Sequence, residues 1–208
     1  TAEDAMMIDR IYKRGNRVVL NLKMEAKFVE DRWSRNVLAE LRGSTYPEEV
    51  VVIGAHIDSW DVGQGAHDDA GGCVAAWRAV TLIKELGFKP RRTLRVVLWT
   101  NEENGSRGSK NYRNEHFSEL ENHIVAIESD GGVFAPQGFG FTGSKGARKI
   151  LNDIADLLDP IGAGKITNWG RAPDIAILND EGVPVMSLNV DNSKYFWYHH
   201  TSADTFDK

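Results

Sequence analysis

Three short apolar runs constrain the fold of this chain more than any other feature of its sequence. They span residues 50–55, 93–99 and 123–127, and they are rich in β-branched residues and mostly apolar at both odd and even positions. Such runs are typical of strands that are covered on both faces. Residues 70–86, between the first two runs, have apolar side chains at helical spacing, and Gly87 follows as a helix stop. The order strand, helix, strand predicts a βαβ unit.

Further periodic segments extend this pattern on both sides. The even positions of residues 17–28 are apolar and most odd positions are polar, which predicts a long strand with one solvated face. Residues 36–42 repeat the alternation, so we expect the two segments to pair as an antiparallel hairpin. Residues 105–115 and 146–158 predict two helices, and residues 184–190 predict another buried strand. Together these elements imply an α/β fold, a three-layer αβα sandwich with a mixed sheet that is parallel in its centre.

The composition bounds the number of domains and the class of partner. With 208 residues, 41% hydrophobic and 26% charged, the chain can bury one core and is short for two, so we expect a single domain over residues 1–208. The net charge is −5 and the sequence shows no cluster of basic residues, which argues against nucleic acid as a partner. No apolar run approaches the ~18 residues of a membrane span. The single cysteine, Cys73, lies among small and apolar residues, as a structural thiol would.

Polar side chains follow each of the three apolar runs. His56 and Asp58 follow the first run, Glu102 and Glu103 follow the second, and Asp130 follows the third. In open α/β sheets, ligands bind beyond the carboxyl ends of the parallel strands. We therefore expect these side chains to collect at one edge of the sheet.

The chemistry of these groups is that of a metal centre. Imidazole and carboxylate groups without cysteine are the ligands of catalytic zinc or of a similar divalent ion. Their number fits two ions that share the carboxylate of Asp68, with His56 and Asp130 completing one ion's ligands and Glu103 with a later histidine the other's. Two such ions acidify a shared water, and Glu102 is placed to take the proton of that water as a general base.

Each of these residues also has a purely structural interpretation. A histidine after a strand is often only a hydrogen-bonded partner, and two adjacent glutamates can stabilise the start of a helix. Asp61, His67 and Asp69 can equally shape the turn in which they lie. Carboxylates at three strand ends weaken this interpretation, because buried carboxylates without a cation are costly. Near the C-terminus, the residue pattern leaves open whether His199 or His200 is the ligand.

Five segments, in this order and spacing, resemble the peptidases of family M28, in particular the carboxypeptidase Q branch: HIDSWD, GAHDDAGG, LWTNEENGSRGS, ESDGG and HHTSADT. The resemblance runs from about Val18 to the end of the chain. It implies two zinc ions and selects the histidine that directly precedes Thr-x-x-Asp-Thr, so that the ligands are His56, Asp68, Glu103, Asp130 and His200. It also implies that Glu102 is the general base, that the carboxylate of Asp58 orients His56, and that the peptide bond between Asp68 and Asp69 is cis.

The resemblance further implies an activity. We expect a di-zinc exopeptidase that cleaves dipeptides or short peptides with a free amino end, in which Glu102 activates a hydroxide that bridges the metals. The alternatives are an amidase or glutaminyl-cyclase-like enzyme with one zinc ion, and a receptor-like module without catalysis. Members of this branch carry an inserted protease-associated domain and further N-terminal segments, so we expect residues 1–208 to be part of a longer chain.

The resemblance also bears on location, oligomeric state and substrate pocket. The family suggests an extracytoplasmic location, in a secreted, periplasmic or lysosomal protein. A homodimer is compatible with the sequence. Trp197 and Tyr198 are candidates to line the substrate pocket.

Overall fold

The computed structural model describes residues 2–208, and the chain divides into two compact units. The first unit ends at Ser34 and contains helix α1 (Ala2–Lys13), which is followed by a segment without regular secondary structure. The second unit, Arg35–Lys208, contains the remaining helices and strands. The single domain expected over residues 1–208 stays a prediction. No helix in the described part of the chain is long and apolar enough to cross a membrane.

The second unit is built on a seven-stranded sheet. In chain order its strands are β1 (Val37–Leu41), β2 (Tyr46–His56), β3 (Arg92–Trp99), β4 (His123–Glu128), β5 (Pro136–Thr142), β6 (Lys165–Thr167) and β7 (Val185–Val190). Its α-helices are α2 (Gly71–Glu85), α3 (Arg107–Glu115), α4 (Lys145–Ala155) and α5 (Ala176–Asp180). Short 3-10 segments lie at Phe117–Asn122, Asp156–Ile161 and Tyr195–Trp197, and a kinked turn with non-helical dihedral angles at Asp68 and Asp69 lies at Ala66–Ala70.

The strand order is β1-β3-β2-β4-β7-β5-β6. The four central strands β3, β2, β4 and β7 are mutually parallel, whereas β1 and β5 run antiparallel to β3 and β7. The sheet is therefore mixed and parallel in its centre, as predicted. β2 and β3 are adjacent, parallel and joined by α2, which confirms the predicted βαβ unit.

Helices cover both faces of this sheet. Val97 of β3 belongs to the larger apolar core, together with Tyr112 of α3 and Leu178 of α5. Its neighbour Val96 belongs to a smaller core with Ala76 of α2. Because successive side chains of a strand point to opposite faces, the two cores lie on opposite sides of the sheet and the fold has three layers.

The predicted strand at residues 17–28 is wrong. These residues are described and form no strand, and the side chains of Leu20, Leu22 and Phe28 are exposed. Alternation of apolar residues yields a strand only where a neighbouring strand pairs with the backbone N–H and C=O groups. The strand predicted at residues 36–42 is confirmed as β1, but it pairs with β3 and not with a preceding hairpin partner.

Two strands, β5 and β6, are not predicted by the sequence pattern. β5 (PQGFGFT) contains two glycines, and β6 has only three residues. Gly138 of β5 has a φ of 138°, which side-chain-bearing residues rarely adopt, and a Cβ there would collide with the carbonyl oxygen of Lys165 in β6. The glycines lower the strand propensity of β5, yet the close approach of β6 requires one of them.

Candidate metal centre

Three parallel strands end side by side at one edge of the sheet. β2 lies between β3 and β4, and the register places His56, the last residue of β2, beside Trp99, the last residue of β3. Glu102 and Glu103 follow β3, and Asp130 follows β4. The strand order therefore brings the polar residues after all three strands to the same edge.

Asp68 lies at the centre of these side chains. Its Oδ1 atom is 3.1 Å from Nε2 of His56, and its Oδ2 atom is 3.1 Å from Nε2 of His200. The side chain is buried, Asp68 lies in the kinked turn Ala66–Ala70, and the peptide bond between Asp68 and Asp69 is cis, as the resemblance implies. The two carboxylate oxygens thus face two histidines from distant parts of the chain, an arrangement that suits a carboxylate shared by two ions.

Asp130 and Glu103 lie at the two ends of this group. Asp130 Oδ1 is 3.4 Å from His56 Nε2, and Glu103 Oε2 is 2.9 Å from His200 Nε2. The five side chains form one continuous row of contacts in the order Asp130, His56, Asp68, His200, Glu103. One donor atom each from His56, Asp68 and Glu103 lies within 4.8 Å of the others. The structure thus brings together all five residues that the resemblance to family M28 implies as metal ligands.

The electrostatics of this row fit a bound cation. Asp68 Oδ2 and Glu103 Oε1 are buried and accept no hydrogen bond from residues 2–208. Burial opposes a positive charge on His56, but its contacts with the carboxylates of Asp130 and Asp68 raise its pKa far above the usual range. Burial and the nearby Asp68 charge also raise the pKa of Glu103. Buried carboxylates are stable when they share a cation, and these imidazole and carboxylate donors suit zinc or a similar divalent ion.

Asp58 connects the ends of β2 and β3. Its carbonyl oxygen lies 2.8 Å from Nδ1 of His56, whereas its carboxylate accepts hydrogen bonds from the backbone N–H groups of Glu102 (3.0 Å) and Glu103 (3.3 Å). The contact between the carboxylate and His56 Nδ1 is longer, 3.9 Å. The expectation that the Asp58 carboxylate orients His56 therefore needs a correction, because the carbonyl group makes that contact and the carboxylate holds the two glutamates.

Glu102 is half-buried beside the row. Burial raises the pKa of its carboxyl group to about 7, and the charges of Asp130 and Glu103 act in the same direction while His56 opposes them. A carboxyl group with a pKa near neutrality can accept a proton and release it again at physiological pH. The position and the protonation behaviour of Glu102 suit a general base.

The two adjacent histidines occupy different positions. His200 Nε2 is 3.1 Å from Asp68 and 2.9 Å from Glu103, while His199 Nε2 is 3.5 Å from Asp68 Oδ2. The rings of His199 and His200 stack with centroids 3.6 Å apart. Only His200 approaches two carboxylates of the row, which supports the choice of histidine that the resemblance implies.

Two acidic residues at the site were not assigned by the sequence. Asp69 is buried and accepts hydrogen bonds from the backbone N–H groups of His56 (3.3 Å) and Gly72 (3.0 Å). Asp204 is also buried and bonds to the turn that carries Asp68. The signal that could have found them is their position inside the segments GAHDDAGG and HHTSADT.

Cys73 lies close to the row without joining it. Its thiol donates a hydrogen bond to the carbonyl oxygen of His56 at 3.0 Å. Burial raises the pKa of this thiol to about 12. A thiol that stays protonated is a poor nucleophile and a poor metal ligand, which agrees with the structural role expected for it.

A cavity of about 380 Å³ opens beside the segment that follows Asp130. Its lining contains one cationic side chain, several amides and a hydroxyl, but no carboxylate: Gly131, Gln137, Lys165, Thr167, Leu188, Asn189, Val190 and Asn192. This volume is within the range of cavities that bind small molecules. One lining residue, Gly131, directly follows the predicted ligand Asp130 in the chain, and none of the five predicted ligands lines the cavity.

Comparison with known proteins identifies the family to which this site belongs. Residues 36–208 match peptidase family M28. The chain belongs to peptidase family M28. It is 49% identical to carboxypeptidase Q of Bos taurus and 46% identical to carboxypeptidase Q of Mus musculus over 205 residues, which are 99% of this chain and 43% and 44% of those proteins. This M28 chain thus spans less than half the length of these relatives.

Solved structures share the fold of this M28 chain. A peptidase M28 precursor from Shewanella amazonensis SB2B superimposes with a TM-score of 0.86 at 41% identity, over 98% of this chain and 46% of that one. BSAP, a zinc aminopeptidase from Bacillus subtilis, superimposes with a TM-score of 0.66 at 18% identity, over 83% of this chain and 44% of that one. The second likeness concerns the fold alone. Together they confirm the mixed sheet with flanking helices as an M28 fold.

Proposed function

We propose that this M28 chain is the catalytic part of a zinc-dependent exopeptidase that hydrolyses dipeptides or other short peptides. The observation that carries the proposal is the row of five imidazole and carboxylate side chains that meet at Asp68, beyond the ends of three parallel strands. The name carboxypeptidase Q describes, in those relatives, cleavage at the carboxyl end of a peptide. A dipeptide has a single peptide bond, which is next to both the carboxyl end and the amino end. A dipeptide substrate therefore fits cleavage at the carboxyl end as well as an enzyme that needs a free amino end.

The five side chains would hold two zinc ions. His56 and Asp130 would hold one ion, Glu103 and His200 would hold the other, and the two would share the carboxylate of Asp68. When bound, such a pair of ions supplies Lewis acidity, which lowers the pKa of water and stabilises negative charge on an attacked carbonyl oxygen. The burial of Asp68 Oδ2 and Glu103 Oε1, neither of which accepts a hydrogen bond within the described residues, supports this assignment.

Glu102 would carry the proton during hydrolysis. In our proposal its carboxylate takes a proton from the attacking water and returns it to the amine that leaves. The backbone hydrogen bond from Glu102 to Asp58 fixes the segment next to the predicted ligand Glu103. The cavity that begins at Gly131 would accommodate the part of the peptide beyond the scissile bond, where Lys165 offers a positive charge.

The direct test of this proposal is Glu102→Gln. Because the amide cannot accept the proton, we expect hydrolysis of dipeptides to fall by about 10²–10⁴-fold. Metal analysis should still find two zinc ions per chain, since Glu102 is not a predicted ligand. Glu85→Gln on α2 is the control, because Glu85 is exposed and its carboxylate pairs with Arg78 of the same helix. Unchanged hydrolysis by Glu102→Gln would remove Glu102 from the reaction.

The substrate class requires a panel of peptides. Dipeptides with free and with blocked amino ends should be compared in zinc-loaded and in chelated protein, and we expect cleavage of free dipeptides in the zinc-loaded protein only. Cleavage of blocked peptides would contradict an exopeptidase. A content of one zinc ion per chain would favour the amidase or glutaminyl-cyclase alternative, and no hydrolysis with two bound ions would favour the receptor-like module. The extracytoplasmic location and the homodimer stay predictions.

A further inference from the structure

Asp204 is a buried carboxylate that the proposed reaction does not use. It is 4% exposed and lies four residues after His200. Its Oδ1 atom accepts a hydrogen bond from the backbone N–H of His67 at 2.7 Å, and its Oδ2 atom accepts one from the backbone N–H of Asp68 at 3.2 Å. One carboxylate therefore binds two consecutive N–H groups of the turn that carries the shared metal ligand.

Further hydrogen bonds join the same two segments. The backbone N–H of Gln64 donates to the carbonyl oxygen of Asp204 at 2.7 Å, and the side-chain oxygen of Gln64 accepts from the N–H of Phe206 at 3.1 Å. Gly63 lies so close that a Cβ there would be 2.7 Å from the carbonyl oxygen of Thr201. Residues 63–68 and 201–206 are thus held together along their length.

This pairing fixes the distance between two predicted metal ligands. Asp68 and His200 are far apart in sequence, and their side chains meet at 3.1 Å, between Oδ2 and Nε2. Neither comes from a central strand: Asp68 lies in the kinked turn Ala66–Ala70, and His200 lies in the irregular C-terminal segment. The sheet therefore cannot set their mutual position in the way that it sets the positions of His56 and Asp130.

We propose that Asp204 is a positioning residue of the metal centre, which sets the separation of Asp68 and His200 by binding the Asp68 backbone. The inference rests on the proposed zinc site. Groups that orient metal ligands typically change metal affinity or activity by about 10–100-fold when they are mutated. A carboxylate suits this position because both of its oxygens accept, and both partners are backbone donors.

The first test is the apparent zinc affinity of Asp204→Asn, measured without substrate by competition with a chromophoric chelator. The amide keeps one acceptor but turns an NH₂ group toward the second backbone N–H, so one hydrogen bond is lost and two donors face each other. We expect zinc affinity to fall by about 10–100-fold. At saturating zinc, kcat for a dipeptide should recover toward the wild-type value while KM changes little, because no group that contacts substrate is altered.

A second variant covers the case in which Asp204→Asn does not fold. Gly63→Ala keeps every carboxylate and histidine but forces a methyl group against the Thr201 carbonyl oxygen, so the two segments must separate. We expect Gly63→Ala to lower the zinc affinity, as Asp204→Asn does. Glu40→Gln is the control, since it disturbs the ion pair with Arg95 far from these segments. It should lower the melting temperature without changing zinc affinity.

The outcomes separate this inference from the proposed function. Folded Asp204→Asn or Gly63→Ala with wild-type zinc affinity would overturn the positioning role. Equal losses of zinc affinity in Glu40→Gln would also overturn it, because the effect would then follow from general destabilisation. Wild-type protein that binds zinc but cleaves no peptide would refute the peptidase proposal and leave the inference standing. Wild-type protein that binds no zinc would overturn both.

Discussion

Two buried polar clusters of this M28 chain satisfy their charged and polar groups in different ways. At the predicted metal centre, carboxylates meet imidazoles and buried oxygens of Asp68 and Glu103 accept no hydrogen bond within the described residues 2–208. The second cluster lies between β3, α3 and the start of β4. There Arg95 donates to Tyr112 at 2.7 Å, and Tyr112 contacts Nε2 of His123 at 2.8 Å.

In the second cluster, the polar side chains are hydrogen-bonded to other groups of the protein. Nδ1 of His123 lies 3.0 Å from the carbonyl oxygen of Glu119, which can only accept, so Nδ1 carries the proton and Nε2 accepts from the Tyr112 hydroxyl. Arg95 also donates to Glu40. The contrast teaches that a buried network whose groups pair with one another is a structural element, whereas a row in which several carboxylates share two imidazoles suits a cation.

The largest expected difference between the clusters is in zinc binding. Asp68→Asn removes the carboxylate shared by both proposed ions, so we expect loss of zinc binding and no detectable dipeptide hydrolysis. Tyr112→Phe should keep both properties near wild-type values, because the second cluster contributes no predicted ligand. Metal content and hydrolysis rates of the two variants measure this difference. Full zinc content in Asp68→Asn would contradict the proposed shared ligand.

Zinc removal should separate the clusters through thermal stability. A ligand at 100 times its Kd stabilises the folded state by about 2.7 kcal/mol, which corresponds to about 5–10 °C in Tm for a chain of this size. We therefore expect a chelator to lower the Tm of wild-type protein and of Tyr112→Phe by similar amounts. Asp68→Asn should show almost no such shift. Calorimetry with and without chelator makes the measurement, and an equal shift in Asp68→Asn would place the metal elsewhere.

The parts of the metal centre that the sequence predicts are those set by the central sheet. His56 and Asp130 follow apolar runs that can only be buried strands, and parallel strands place their carboxyl ends at a common edge. The preference for His200 over His199 is different, because it depends on a backbone turn with φ of 56° at His200 and not on any local pattern. The resemblance to family M28, rather than residue spacing, selected that histidine.

The failures of sequence reasoning have a common physical origin. The alternation in residues 17–28 is real, but a strand also needs a partner backbone, which no local pattern reveals. The hydrogen bonds of the Asp58 carboxylate likewise depend on a segment 44 residues away. Asp204 bonds to a turn 136 residues away. Contacts of this range become visible only when the tertiary structure is known.

A substitution within the second cluster should have a smaller effect, on the stability of the fold rather than on zinc binding. Tyr112→Phe leaves Nε2 of His123 without a donor and Arg95 without one acceptor, which should cost about 1–3 kcal/mol in the free energy of unfolding. Urea denaturation of the zinc-free protein measures this cost. Tyr46→Phe is the matched control, because the hydrogen bond that the Tyr46 hydroxyl accepts from Arg91 is exposed, and its loss should change stability by less than about 0.5 kcal/mol. Equal effects of the two variants would show that the network adds nothing to stability.

The smallest expected effect is the pH dependence that His123 contributes. Burial lowers the pKa of His123, and the positive charges of Arg95 and His116 lower it further. The hydrogen bond to the Glu119 carbonyl oxygen and the charge of the Glu119 carboxylate raise this pKa, but by less. The unfolded chain, with a histidine pKa near 6.5, therefore takes up a proton before the folded chain does. The contribution of His123 to stability is present above about pH 6.5 and is lost as the pH falls toward the lower folded pKa, at up to about 1.4 kcal/mol per pH unit.

His123→Asn removes this titration but leaves every group of the metal centre in place, so the difference in unfolding free energy between wild type and variant should narrow from pH 8 to pH 5. A difference that stays constant over this range would mean that His123 takes up its proton at the same pH in the folded and the unfolded chain, which would refute a pKa lowered by burial in the second cluster.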